Sequence, residues 1–169
     1  MGRLRDRWRG TRYPDPGTRA IPTQELRTAL LALNGTGVPF SVRETGGGVD
    51  LIAEWKCLEP ATGSGLGREQ VERTFRISLR LLSVDREVRA ADEQRTVTRA
   101  GPAPGRTVGK GHGKGPIRWA HKEWTYEKGT DGRRQKVVTF DVNVTRDMKD
   151  PLRTAVLGAG WTWRGVRTL

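Results

Sequence analysis

The chain has 169 residues, of which 34% are hydrophobic and 30% charged, and its formal net charge is +12. Because apolar runs with clear periodicity are present, this composition excludes a fully disordered chain. The longest strongly apolar stretch, residues 29–33, is far shorter than the roughly 20 residues that a bilayer span needs, so we expect no membrane association.

Cysteine usage and the first residues bear on the compartment. The single cysteine, Cys57, excludes an intramolecular disulfide and suits a reducing environment. The first residues alternate arginine with other side chains and contain no apolar segment of the kind that a secretory signal carries. We therefore expect a cytoplasmic location.

The positive charge is unevenly distributed along the chain. Residues 1–20 carry +4, residues 21–100 are neutral, and residues 101–169 carry +8, of which +6 falls within residues 105–136. Arginine outnumbers lysine 24 to 7, as codon bias in a GC-rich genome would explain. That bias does not explain why the excess of positive charge is localised. A localised excess predicts a surface region of positive electrostatic potential.

Residues 1–20 are predicted to form a flexible basic arm. Alternating arginines are followed by prolines and a glycine, and too little apolar surface is present to offset the entropy of ordering. Residues 21–169 are predicted to form a single domain.

A helix is predicted over residues 23–33, where Leu26, Leu30 and Leu33 recur at helical spacing behind Pro22. From Phe40 onward the apolar period changes to two, which indicates strands. The predicted strands cover residues 40–44, 49–58, 74–82, 87–91, 94–99, 117–128, 136–144 and 161–167.

Three further local features complete the prediction. Ala90 and Ala91 interrupt the alternation and suggest a β-bulge. Residues 101–116, rich in glycine and proline, are predicted to form a loop, and a second helix is predicted over residues 150–160 with Pro151 in its first turn. The order of elements predicts an α+β fold: a curved antiparallel sheet of about six to eight strands with two helices packed on one face.

No pattern in the chain dictates a reaction or a cofactor. The Gly-Lys pairs at Gly109-Lys110 and Gly113-Lys114 lack both the first glycine and the hydroxyl residue of a phosphate-binding P-loop. The two histidines and one cysteine have no metal-ligand spacing, so no metal site is predicted. Without a nucleophile, base or metal set, the sequence favours a protein that is not an enzyme and that uses no cofactor.

Aromatic side chains interleaved with cations are the more informative feature. Trp119 and Trp124 are an odd number of positions apart, so in a regular strand one of them is expected outside the core. Exposed aromatics beside Arg and Lys are typical of surfaces that stack bases and bind phosphates. The candidate binding residues are Arg3, Arg5, Arg7, Arg9, Arg106, Lys110, Lys114, Arg118, Lys122, Trp124, Arg133 and Arg134.

Two functions remain open at this point. The first is a non-enzymatic basic domain that weakly binds a polyanion such as nucleic acid. The alternative is a protein-interaction or small-ligand-binding module whose basic character comes from codon usage. A contiguous positive face favours the first, and a deep apolar cavity between helices and sheet favours the second.

Two segments carry a resemblance to a known family. The C-terminal sequence Ala159-Gly160-Trp161-Thr162-Trp163-Arg164-Gly165-Val166, with the hairpin Val88-Arg89-Ala90-Ala91-Asp92-Glu93, resembles small uncharacterised proteins of high-GC actinobacteria. The resemblance covers about residues 35–169, leaves the basic arm outside, and implies no activity.

Overall fold

The computed structural model describes residues 10–169, and in that range it has two α-helices and nine strands. In chain order these are β1 (Thr11–Arg12), α1 (Thr23–Ala32), β2 (Ser41–Glu44), β3 (Leu51–Leu58), β4 (Glu69–Leu82), β5 (Glu87–Ala100), β6 (Arg106–Lys114), β7 (Ala120–Lys128), β8 (Arg134–Asn143), α2 (Asp150–Gly158) and β9 (Thr162–Val166). A π-helical turn, Thr145–Lys149, leads directly into α2. Within residues 10–169, no helix combines the length and apolar character that crossing a membrane requires.

Seven strands form the main sheet, in the order β1-β9-β5-β4-β3-β2, with β6 as a further neighbour of β5. β9 runs parallel to β5 along residues 87–91, whereas β6 runs antiparallel to it along residues 93–100. The predicted α+β fold, its strand number and its two helices are confirmed, but the sheet is mixed rather than purely antiparallel. The parallel pair arises because the chain crosses over through β6–β8 and α2 before β9 is added.

One face of the main sheet is buried, and both helices pack on it. Along β3, Leu51, Ala53, Trp55 and Cys57 are buried in strict alternation with more exposed residues, as the sequence predicted. The buried members of the helices and the π-helical turn are Leu26, Leu30, Met148, Leu152 and Val156, and they belong to the same core cluster as the sheet residues.

Two predicted local features are wrong. β5 is one continuous strand, and its pairing with β4 passes through Ala90 and Ala91 without a register shift, because these small residues simply alternate inward and outward. The irregularity lies further along, between Thr98 and Arg99 against β6. The predicted loop over residues 101–116 is wrong for Arg106–Lys114, which form β6; backbone hydrogen bonds to β5 need no side chain, so glycine does not prevent this pairing.

Part of the predicted arm is joined to the sheet. Thr11 and Arg12 form β1 and pair with β9. Gly160, just after α2, has a φ of +75°, and a Cβ added there would lie 2.6 Å from the backbone of Ala20. Only glycine permits both this backbone conformation and this close approach.

The buried thiol of Cys57 gives a direct test of the β3 register. Burial raises the pKa of the thiol, the nearby Glu59 carboxylate raises it further, and Arg73 opposes the rise. Because the thiolate is the reactive form, iodoacetamide at pH 8 is expected to alkylate Cys57 at least about tenfold more slowly in the native protein than in urea. Mass spectrometry of timed samples measures both rates, and equal rates would place the thiol on the exposed face.

Candidate polyanion-binding surface

The hairpin of β7 and β8, called the ribbon from here on, forms a two-stranded sheet of its own. Its base is anchored by ring contacts: the ring centroid of Trp119 lies 5.4 Å from that of Phe75 in a tilted arrangement, and His121 stacks on Trp119 at 5.9 Å. Phe140 adds an edge-on contact to His121. Within residues 124–139 no side chain is buried. The outer part of the ribbon is therefore exposed to solvent on both faces.

The pairing register gives the two faces of the ribbon opposite charge. Side chains alternate along β7, and directly opposed residues of β8 share their face. What we call the basic ribbon face consists of Lys122, Trp124, Tyr126, Lys128, Arg134, Lys136, Val138 and Asp141. The acidic ribbon face includes His121, Glu123, Thr125, Glu127 and Gln135. Four cations with one acid thus lie on one side, and two carboxylates lie on the other.

The aromatic residues of the basic ribbon face lie among its cations. Trp124 is 49% exposed and Tyr126 is 63% exposed. The Nζ of Lys136 lies 3.8 Å from the centroid of a Trp124 ring, which is a cation–π contact. The predicted exposure of one of the two tryptophans is confirmed, because Trp119 is partly buried against the core.

Like charges meet near the tip of the basic ribbon face. Lys128 and Arg134 are directly opposed across the two strands, and neither forms an ion pair within residues 10–169. Lys122, nearer the base, has a carboxylate partner in Asp141 at 3.6 Å. Opposed like charges are unfavourable unless an anion lies between or above them. The tip therefore favours an anion supplied from outside the described chain.

A second basic feature is the groove beside β6. It has a volume of about 560 Å³, and its floor includes Gly111 and Gly113, which pair with Thr96 and Gln94 of β5. A Cβ added at Gly113 would meet nothing within 4 Å, and one at Gly111 would make only ordinary contact with Thr96. Packing inside the chain does not require glycine there, and glycine in a strand often marks close approach by a ligand or another backbone. The rim includes His112, Lys114, Arg118 and Arg167.

The predicted binding residues fall into separate places. Arg3, Arg5, Arg7 and Arg9 lie outside the described residues; Arg106, Lys110 and Lys114 lie on β6; Arg118 precedes β7; Lys122, Trp124 and Arg134 lie on the basic ribbon face; and Arg133 lies in the turn before β8. The predicted strand over residues 117–128 begins only at Ala120, so Arg118 does not share a strand with Lys122 and Trp124. Arg118 instead lies with Lys114 at the groove.

Both histidines are engaged by carboxylates. His112 lies 2.8 Å from Glu93, and His121 lies 2.8 Å from Glu123. Burial alone would raise the pKa of Glu93, but hydrogen bonds from His112 and Arg95 outweigh it and lower the pKa. Within residues 10–169, no three potential metal ligands lie together.

Sequence reasoning missed several cations of these surfaces. Lys128 and Lys136 complete the basic ribbon face, and Arg167 lies on the groove rim. Alternation along residues 122–128 already places Lys128 on the side of Trp124, so that signal was present. The position of Lys136 depends on the register across the turn, and that of Arg167 depends on the tertiary fold.

Comparisons with protein-family models, curated proteins and solved structures found no match for this chain. The resemblance to small actinobacterial proteins therefore stays a prediction.

Proposed function

We propose that this protein binds nucleic acid through the basic ribbon face, weakly and with little sequence preference. The observation that carries the proposal is the segregation of charge: cations and exposed aromatics share one face of the ribbon, and carboxylates lie on the other. Codon bias toward arginine does not account for this segregation, because three of the four cations on the basic ribbon face are lysines.

The shape of the ribbon fits the chemistry of a nucleic acid. The major groove of B-DNA admits a two-stranded β-ribbon, and a single strand offers bases that stack on tryptophan or tyrosine. Lysine contacts to phosphates are sequence-independent. Four cations with few amide side chains beside them therefore favour binding to the backbone over base readout.

The magnitudes expected of such contacts are modest. Each neutralised phosphate contributes roughly 0.7–0.9 to the log–log salt dependence, so about three or four contacts predict a slope near 3. Affinity near physiological salt is expected in the non-specific range, about 10⁻⁴ to 10⁻⁶ M.

Charge reversal at the tip of the ribbon tests the proposal. Lys128→Glu with Arg134→Glu is expected to abolish binding of a short labelled oligonucleotide near physiological salt, because both cations face the ligand. The matched control is Arg43→Glu with Lys56→Glu, at exposed positions of β2 and β3, which changes the net charge equally. Fluorescence anisotropy measures oligonucleotide binding by the two double variants. Equal losses from the two pairs would mean that only net charge matters, and the ribbon site would be dropped.

The exposed apolar side chains support the alternative of a protein-interaction module. Trp124, Tyr126 and Val138 lie together on the basic ribbon face, and aromatic residues are enriched at protein interfaces. If the wild-type chain bound neither single- nor double-stranded oligonucleotide while Trp124→Ala raised its solubility, the interaction module would replace the nucleic-acid proposal. In either case we propose a cytoplasmic location, for which the one buried thiol is suited.

A further inference from the structure

A crevice opens in the main sheet where two strands share one edge of β5. β9 pairs with residues 87–91 and β6 pairs with residues 93–100, so Asp92 lies between the two. Asp92 is 8% exposed, and its side-chain carboxylate accepts a hydrogen bond of 2.9 Å from the Ile117 backbone N–H. The edge of β5 therefore changes its partner strand at this residue.

Lys149 enters the crevice from the helical layer. It is 5% exposed and forms an ion pair with the Asp92 carboxylate. It lies in the π-helical turn Thr145–Lys149. Such turns are rare in proteins overall, but those that occur are often found at functional sites. Burial lowers the pKa of the Lys149 ammonium, Asp92 opposes this, and the positive charges of Arg153 and Arg118 lower it further.

The cavity at this point is lined by more basic than acidic residues. Its volume is about 460 Å³, and its charged lining consists of Arg12, Asp92, Arg118, Lys149 and Arg153. Asp92 neutralises Lys149, and Arg153 pairs with Asp150, whereas Arg118 forms no ion pair within residues 10–169. The positive potential that Arg118 adds to this lining favours an anion.

Arg153 has a donor that the described chain leaves unused. Its Nη1 lies 3.4 Å from Asp150, and its guanidinium lies 5.8 Å from the Trp163 ring. Its Nε is buried, and within residues 10–169 it has no hydrogen-bond partner. A buried donor without a partner costs free energy comparable to a lost hydrogen bond, so an acceptor from a ligand would be stabilising here.

We propose that this cavity binds a phosphomonoester group, with Arg118 and Arg153 as its principal donors and Thr145 as a hydroxyl donor. An oxyanion suits a cavity lined by guanidinium groups, which bind phosphate oxygens in a bidentate manner. The group is either free inorganic or small-molecule phosphate, or the terminal phosphate of a nucleic acid. The site is separate from the ribbon, so the inference stands or falls independently of the proposed function.

Isothermal titration calorimetry with inorganic phosphate, at constant ionic strength in chloride, tests the site. Binding is expected for the wild-type chain. Arg118→Ala is expected to weaken it by about tenfold or more, because a hydrogen bond to a charged group is lost. Arg118 is exposed, so this change leaves the fold intact. Arg153→Gln is a second variant expected to act in the same direction.

Arg164→Ala is the matched control. Arg164 lies on β9 between two cavity-lining residues, but it pairs with Glu87 and does not line the cavity. Its replacement by alanine removes one positive charge, as Arg118→Ala does. Its affinity for phosphate is expected within about twofold of wild type. If all three variants lost affinity equally, or none did, the site would be overturned.

A pair of oligonucleotides identifies the source of the phosphate. One carries a 5′-phosphate and the other a 5′-hydroxyl, so the ribbon contributes equally to both and the difference reports the cavity. A preference for the phosphorylated end that Arg118→Ala removes assigns a nucleic-acid terminus. Equal binding of the two, with inorganic phosphate still bound, assigns a free phosphate ligand. Equal binding of the two without binding of inorganic phosphate contradicts the proposal, whatever the ribbon variants do.

Discussion

Replacing Lys149 with methionine is expected to lower the free energy of unfolding by about 3–5 kcal/mol. Methionine keeps the volume of the side chain, but it leaves the buried Asp92 carboxylate without its cation. The remaining hydrogen bond from the Ile117 backbone does not replace a charge. Urea unfolding followed by tryptophan fluorescence measures the difference.

The double variant Lys149→Met with Asp92→Asn distinguishes charge from packing. It removes both charges, so most of the lost stability is expected to return. Lys110→Met, at an exposed position of β6, is the control and is expected to change stability by less than about 0.5 kcal/mol. If Lys149→Met also cost less than about 1 kcal/mol, the ion pair would not be formed as described.

Ile77→Ala is expected to cost about 2–5 kcal/mol, because the side chain is fully buried at the centre of β4. Its neighbours across the strands, Ala53 and Asp92, are too short to fill the space that is left. The control is Ser78→Ala on the opposite face of the same strand, with an expected change below about 1 kcal/mol. An unchanged urea midpoint for Ile77→Ala would contradict the register of β4.

Strands and helices were predictable wherever one buried face imposes a regular spacing of apolar residues along the sequence. The alternation along residues 51–57 and the helical spacing of Leu26 and Leu30 follow from one buried face, and both are as predicted. β6 has no buried side chain, and it is joined to β5 by backbone pairing and by the exposed contact of His112 with Glu93. No hydrophobic period was therefore present to distinguish it from a loop.

The candidate sites were likewise predictable only where they depend on alternation within one strand. Exposure of Trp124 and the side of Lys122 followed from alternation within β7. The partnership of Lys149 with Asp92 joins residues 57 positions apart in the sequence, and it depends on how α2 is placed on the sheet. The charge of Arg118 makes it a candidate from sequence alone, but its neighbours at the groove and the crevice come from tertiary structure.

The outer part of the ribbon contributes nothing to the buried core. Because no side chain within residues 124–139 is buried, substitutions there leave the core unchanged. If the ribbon binds a ligand as proposed, evolution can alter its preference without passing through unstable intermediates, whereas changes at the buried Asp92–Lys149 pair are constrained by folding. Homologues of this chain should diverge fastest along the ribbon and slowest at the crevice.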